Sequence, residues 1–118
     1  MRYKIEVMSM AARKLNKMAA FYTKVFSIRF KTIKLGRGRL YVGKFDGKEL
    51  VLYQADRKQK AAHNPMHFEI FFPNLKKAMD LAINHGGRTN GQPREDDQVK
   101  AVGVFDPDGN FMVFKQKK

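Results

Sequence analysis

A five-residue pattern occurs twice in this chain, sixty positions apart. Residues 42–46 read Val-Gly-Lys-Phe-Asp, and residues 102–106 read Val-Gly-Val-Phe-Asp. Each copy leads through a turn into a short apolar segment, residues 50–54 and residues 112–116. Such a repeat indicates a supersecondary unit that cannot bury its apolar side alone and packs against its copy. The chain is thereby divided into two similar halves, and we expect a functional site to lie between them.

The composition indicates one folded domain. A chain of 118 residues with 43% hydrophobic content and ten Phe can build a single core. The absence of cysteine excludes a disulfide framework, a thiolate metal site and a cysteine nucleophile. No apolar run approaches the ~20 residues that a membrane-spanning helix needs. We therefore expect a cytoplasmic protein that has no membrane partner.

The net charge of +13 is unevenly distributed. Residues 1–60 contain 16 Lys and Arg against 4 Asp and Glu, a net +12, whereas residues 61–118 contain 8 against 7, a net +1. A positive field of this size attracts polyanions and anionic metabolites. It is also typical of a solvated surface that only aids solubility. The charge thus leaves open a plain basic surface, a nucleic-acid partner and an anionic small molecule.

Hydrophobic periodicity predicts the order βαβββ in the first half. Alternation of period two predicts strands, and apolar residues spaced by three and four predict one helix over residues 15–26. The predicted strands cover residues 3–8, 28–32, 40–45 and 49–54. Gly36 to Gly38 and the pair Asp46-Gly47 are predicted turns.

The second half repeats this order. A strand over residues 66–72 precedes a helix over residues 75–85, which Gly86 and Gly87 are expected to cap. Residues 88–100 are polar and predict a weak strand followed by a mobile loop. The last hairpin is predicted over residues 101–105 and 111–117.

These elements predict an α+β fold of two βαβββ modules, residues 1–56 and 65–118. A polar linker, residues 57–64, joins them within one domain. We expect two curled mixed sheets that form a cup, with the helices packed on the outer faces. The inner faces of the sheets would then line a shared cleft.

Three segments in this order resemble the vicinal oxygen chelate superfamily, which includes glyoxalase I, extradiol dioxygenases and the fosfomycin and bleomycin resistance proteins. Residues 21–26 read Phe-Tyr-Thr-Lys-Val-Phe on the first helix, residues 67–70 read His-Phe-Glu-Ile, and residues 106–110 read Asp-Pro-Asp-Gly-Asn. Together they span most of the chain. Each segment alone is a loose motif, and their combination with a duplicated βαβββ pattern is more specific.

The resemblance implies a cup that is often completed in a homodimer and, in the enzymes, one divalent metal held by four inward side chains. The second module's first ligand matches His67, and its counterpart in the first module falls at Glu6, with Val7 or Met8 as alternatives. The closing positions match Val51 and Val113. Because valine cannot coordinate a cation, the usual metal site is not expected.

A rearranged metal site is an alternative that the sequence leaves open. It would use the acidic and imidazole side chains near the expected inner faces, which are Glu6, Glu49, His67 and Glu69. His67 can equally be a hydrogen-bonded imidazole in the wall of a cavity. We therefore favour no cofactor, and a divalent metal is the alternative. No nucleophile and base occur in a recognisable arrangement, so no catalytic residue is assigned.

Strand alternation selects the residues that we expect to line the cleft. Aromatic and aliphatic walls with a few polar groups are typical of a small-molecule site. Arg29 and Lys31 would favour an anionic ligand. The candidate ligand-binding residues are Glu6, Met8, Arg29, Lys31, Tyr53, His67, Glu69, Phe71, Phe111 and Val113.

Three functions remain in competition. The favoured one is metal-free binding of a small molecule, in a homodimer, that sequesters a drug or metabolite. The second is a divalent-metal lyase or dioxygenase of the glyoxalase type, in which the metal acts as a Lewis acid. The third is nucleic-acid binding through the basic charge, which would weaken steeply with salt.

Overall fold

The computed structural model describes residues 1–2, 4–56 and 67–118. The predicted linker, residues 57–64, lies outside the described residues. The order βαβββ occurs twice, as the sequence predicts. The first module consists of β1 (Val7–Ala12), α1 (Leu15–Phe26), β2 (Lys31–Leu35), β3 (Gly38–Phe45) and β4 (Lys48–Gln54). The second consists of β5 (Glu69–Phe71), α2 (Leu75–Asn84), β6 (Arg88–Glu95), β7 (Val99–Phe105) and β8 (Phe111–Lys117).

The strands form two mixed, four-stranded sheets with the same topology. Sheet 1 has the order β1-β4-β3-β2 and sheet 2 the order β5-β8-β7-β6. The first strand of each module pairs in parallel with the last, while the remaining neighbours are antiparallel. These features confirm the predicted α+β fold.

One hydrophobic core joins both modules. Alternate residues of the central strands point into it, such as Leu50 and Leu52 of β4 and Val102 and Val104 of β7. Since side chains alternate between the two faces of a strand, the odd-numbered residues of β4 and β7 lie on the opposite face. The helices cover the core side, because α1 packs against α2 and β4, and α2 packs against β6, β7 and β8.

Residues 106–110 tie the second module to the first helix. The Asp106 carboxylate is buried and accepts hydrogen bonds from the Tyr22 hydroxyl at 2.9 Å and the Asn110 amide side chain at 2.8 Å. The Asp108 carboxylate accepts from the backbone N–H groups of Arg13 at 2.6 Å and Lys14 at 3.0 Å, next to the start of α1. The segment is therefore a junction between the modules as well as a turn.

Two predicted strands are displaced in the structure. The first strand runs over Val7–Ala12, four residues later than predicted: the Glu6 carbonyl accepts one hydrogen bond from the Glu49 backbone N–H, but the regular register with β4 begins at Val7. The second strand, predicted over residues 28–32, runs over Lys31–Leu35. Within residues 88–100, the predicted strand is present as β6 over Arg88–Glu95, with an irregular register between Asn90 and Arg94, and residues 96–98 separate it from β7. The polar side chains of β6 are compatible with a strand because β6 is an edge strand and most of its residues are exposed.

The repeated pentapeptide is out of register by one residue between the sheets. Gly43 pairs with Leu50, which faces the core, whereas Gly103 pairs with Val113, which lies on the opposite face. The pattern thus marks the same hairpin in both modules but places its residues on opposite faces.

Candidate functional site

Each sheet has one face that the helices leave uncovered, which we call its open face. On sheet 1, strand pairing places Ile33 of β2, Val42 of β3 and Val51 of β4 on this face. Val7 and Leu35 on the same face are 50% and 61% exposed. The open face of sheet 1 is therefore mainly aliphatic. Its remaining members include Ser9, Lys31, Leu40, Lys44, Glu49 and Tyr53.

The open face of sheet 2 is aromatic and basic. Glu69 and Phe71 of β5 lie beside Val113 and Lys115 of β8. The Phe111 ring contacts His67 and Phe105, each with a centroid distance of 5.4 Å. The other polar members of this face are Arg88, Asn90, Arg94 and Lys117.

A cleft of about 570 Å³ lies between the modules. Its walls combine Phe45 and Lys48 from the first module with Phe68 and Phe71 from the second. Met8 and Glu69 also line it, so three of the predicted cleft residues, Met8, Glu69 and Phe71, lie there. A concave, partly apolar space between two repeated modules is the usual form of a small-molecule site.

The other predicted site residues lie in several places. Lys31 and Tyr53 are on the open face of sheet 1, and His67, Phe111 and Val113 are on that of sheet 2. Glu6 precedes β1 and lines a smaller cavity with Lys44 and Glu49. Arg29 is exposed in the connection between α1 and β2.

Strand alternation placed Met8 on the wrong side of its strand. Met8 packs against the hydrophobic core, and its neighbour Val7 lies on the open face. The alternation of residues 3–8 is not evidence for the faces of β1, because the strand includes only the last two of them.

The resemblance implies four metal-ligand positions, and strand pairing identifies which residue of the first module corresponds to His67. Val51 pairs with Ser9, and Val113 pairs with Glu69. Two residues before these partners lie Val7 in the first module and His67 in the second. The counterpart of His67 is therefore Val7, which was one of the two alternatives to Glu6. Three of the four positions are valine, so the residues present do not fit the family's divalent metal site.

The rearranged metal set is not assembled within one chain. Among the residues that the structure describes, no three His, Asp or Glu side chains are close enough to hold a metal ion. Glu6 lies near Lys4, at 3.9 Å between the charged atoms. Glu69 forms a salt bridge with Lys115, which lowers the pKa of its carboxyl by hydrogen bonding and by charge.

Sequence reasoning missed the cations of sheet 2. The Arg88 guanidinium carbon lies 4.5 Å from the centroid of the Phe105 ring. The ammonium groups of Lys115 and Lys117 lie 5.7 Å and 5.2 Å from that of Phe71. Lys115 and Lys117 lie two and four residues after Val113 on β8, so strand alternation alone predicts that they share its face. Arg88 was not selected, because residues 88–100 were predicted to be a weak strand followed by a mobile loop, and no face was assigned to that strand.

The family model of the glyoxalase-like domain matches residues 7–114. The chain therefore belongs to the glyoxalase-like domain family, within the vicinal oxygen chelate superfamily that residues 21–26, 67–70 and 106–110 indicate. No curated protein matches the sequence.

Solved structures of the same fold extend over nearly the whole chain. The fosfomycin resistance protein FosX from Listeria monocytogenes has a TM-score of 0.77 at 13% identity, covering 100% of this chain and 96% of that one. A glyoxalase/bleomycin resistance protein from Albidiferax ferrireducens T118 has a TM-score of 0.70 at 16% identity, with 98% of both chains covered. A glyoxalase/bleomycin resistance protein/dioxygenase family enzyme from Burkholderia phytofirmans PsJN has a TM-score of 0.74 at 15% identity, covering 97% and 98%. At these identities the similarity shows the fold alone.

No helix among the described residues is long and apolar enough to cross a membrane.

Proposed function

We propose that this protein binds a small molecule without a metal, in a cup formed by the open faces of its sheets, and that it sequesters a drug or metabolite. The observation that carries the proposal is the residue set at the four ligand positions, Val7, Val51, His67 and Val113. The three valines have no donor atoms and cannot hold a cation, but they are well suited to the wall of an apolar pocket, and His67 alone does not make a metal site.

A second copy of the chain completes the cup in this proposal. Within one chain the modules meet mainly through α1, α2 and residues 106–110, and the apolar residues of the open faces remain accessible. Val7, Leu35 and Phe71 are each at least half exposed. Apolar area of this kind is typical of interaction and ligand surfaces. A homodimer that covers part of it would give the ligand a more enclosed site.

Native mass spectrometry of the purified protein tests the proposal, because it reports subunit number, metal and co-purified ligand together. We expect a dimer with a mass shift for an organic ligand and none for a divalent ion. Calorimetric titration with Mn²⁺, Ni²⁺ and Zn²⁺ then gives no stoichiometric binding. Tight metal binding at one ion per subunit, lost in His67→Ala, would support the metal-dependent lyase or dioxygenase instead.

A further inference from the structure

The second module segregates its charges. Its seven acidic residues include only one on the open face of sheet 2, which is Glu69. The same face carries four of the module's eight cations, which are Arg88, Arg94, Lys115 and Lys117. The near-zero net charge of residues 61–118 therefore conceals a face with four positive groups and one negative group. A face of this charge is complementary to an anion.

Aromatic rings occupy the same face. Phe71 is 51% exposed and has Lys115 and Lys117 beside its ring. The Phe111 ring lies across Gly103, where an added Cβ would be only 2.7 Å from a ring carbon, and it contacts His67 and Phe105. Exposed rings offer stacking surfaces to a planar ligand. The open face of sheet 1, by contrast, has Tyr53 as its one aromatic residue among those described.

We propose that the ligand of this protein is a small aromatic anion, a planar ring bearing a carboxylate, sulfonate or phosphate group. Its ring stacks on the aromatic residues of sheet 2, Phe71 foremost, and its anionic group is held by Lys117, next to the salt bridge between Lys115 and Glu69. The aliphatic open face of sheet 1 supplies the apolar wall. This inference rests on the proposed small-molecule function and adds the chemical class of the ligand.

Two fluorescent dyes distinguish the contribution of the ligand's aromatic ring to binding from that of its anionic group. Anilinonaphthalenesulfonate is an aromatic anion, and N-phenyl-1-naphthylamine carries nearly the same rings without the sulfonate. We expect the wild-type protein to bind the anionic dye about tenfold more tightly. Raising the salt concentration should weaken only the anionic dye.

Matched variants locate the site. Lys117→Gln should weaken the anionic dye about fivefold and leave the neutral dye unchanged. Phe71→Leu should weaken both dyes. The control is Lys77→Gln on α2, which removes an exposed charge for which the described residues show no ion pair. Near-ultraviolet circular dichroism verifies that every variant is folded.

Equal affinity for the two dyes, equal effects of Lys117→Gln and Lys77→Gln, or no binding of either dye would overturn the inference. A competition experiment with a dT strand of about ten nucleotides tests the nucleic-acid alternative. If the strand displaces the anionic dye at a concentration below the dissociation constant of the dye, the ligand is single-stranded nucleic acid and not a small molecule. Failure of the proposed function is recognised separately, by stoichiometric metal binding in calorimetry.

Discussion

Tyr22 and Asp106 form a buried hydrogen bond between the first helix and the second module. The Tyr22 side chain is fully buried, and its hydroxyl donates to the Asp106 carboxylate at 2.9 Å. Burial and the adjacent carboxylate hold the pKa of Tyr22 well above its usual value, so the hydroxyl keeps its proton. The pair connects residues 84 positions apart in the chain.

Replacing Tyr22 with Phe should lower the free energy of unfolding by about 2 kcal/mol, because a hydrogen bond to a buried carboxylate is lost. Tyr41→Phe is the control, since the Tyr41 hydroxyl donates to Asn16 at 3.0 Å on an exposed surface. Its cost should stay below about 0.5 kcal/mol. Urea denaturation of both variants measures the difference, and equal costs would contradict the role of the buried pair.

Asp106 should make the stability of the protein depend on pH. Burial raises the pKa of its carboxyl, although hydrogen bonds from Asn110 oppose the shift. The folded chain therefore holds this proton at higher pH than the unfolded chain does, and the contribution of Asp106 to stability falls as pH rises through its folded-state pKa. Relative to Asp106→Asn, the wild type should gain stability as pH decreases. Urea midpoints of both proteins between about pH 3 and pH 7 measure this gain, and a constant or shrinking difference would contradict it.

The two hairpins of the repeat should differ in how well they tolerate a side chain in place of glycine, because Gly43 and Gly103 lie on opposite faces of their sheets. A Cβ on Gly43 would lie 2.6 Å from the Ile28 side chain and 3.0 Å from the Arg29 carbonyl oxygen. A Cβ on Gly103 would meet the Phe111 ring, which is at an accessible face and can turn away. Gly43→Ala should cost about 2 kcal/mol and Gly103→Ala less than half of that. Thermal unfolding compares them; a larger cost for Gly103→Ala would show that the faces are assigned wrongly.

The starts of the two helices are held in different ways. Helix α2 has its own cap, because the Asn74 side chain accepts from the Lys77 backbone N–H at 3.0 Å. Helix α1 has no side-chain cap, but the backbone N–H groups of Arg13 and Lys14, just before its first residue, donate to Asp108 of the other module. Asp108→Ala and Asn74→Ala should each cost about 1 kcal/mol. Hydrogen exchange should quicken in α1 and at the junction for the first, but only in α2 for the second. Unchanged exchange in α1 of Asp108→Ala would contradict a role for Asp108 in holding the start of that helix.

Among the helices and strands, strong hydrophobic periodicity was sufficient to predict the bounds of some elements correctly. The range of α1 and the last strand, residues 111–117, agree with the structure because their core-facing residues are regularly spaced. Periodicity misplaced β1 and gave only a weak signal for β6. The alternation of residues 3–8 predicted a strand there, whereas the regular pairing with β4 begins at Val7. Strand β6 is held by backbone pairing at an edge, which leaves no apolar signal in its side chains.

The candidate site was only partly predictable for the same reason. The positions of Val51 and Val113 follow from β4 and β8, where alternation is clear. The counterpart of His67 depended on the register of β1 against β4, which residues 3–8 did not fix. Arg88 was missed because no face was assigned to the weak strand predicted in residues 88–100. The faces of edge strands are set by pairing with their neighbours, and one sequence does not encode that pairing in hydrophobicity.

The whole molecule combines a shared core with two uncovered sheet faces. The sequence repeat predicts a cleft between the modules and leaves open whether one chain or a dimer forms it, and the structure has a cleft of about 570 Å³ between the modules of one chain. The ligand positions, however, lie on the open faces and not within the shared core. The oligomeric state therefore decides how enclosed the proposed binding site is, and a single substitution on an open face should affect both assembly and binding.

Ile33→Glu tests this link. Ile33 is 43% exposed on the open face of sheet 1, and Ile83 is 50% exposed on α2, so Ile83→Glu is a matched control with the same change of side chain. Ile33→Glu places a charge in the proposed dimer interface, which should raise the dissociation constant of the dimer at least about tenfold. Ile83→Glu should assemble like the wild type. Sedimentation velocity over a range of concentrations measures both, and ligand retention is read from native mass spectra. If Ile83→Glu alone dissociated, the dimer would form through the helices, and the open faces would have to bind their ligand within one chain.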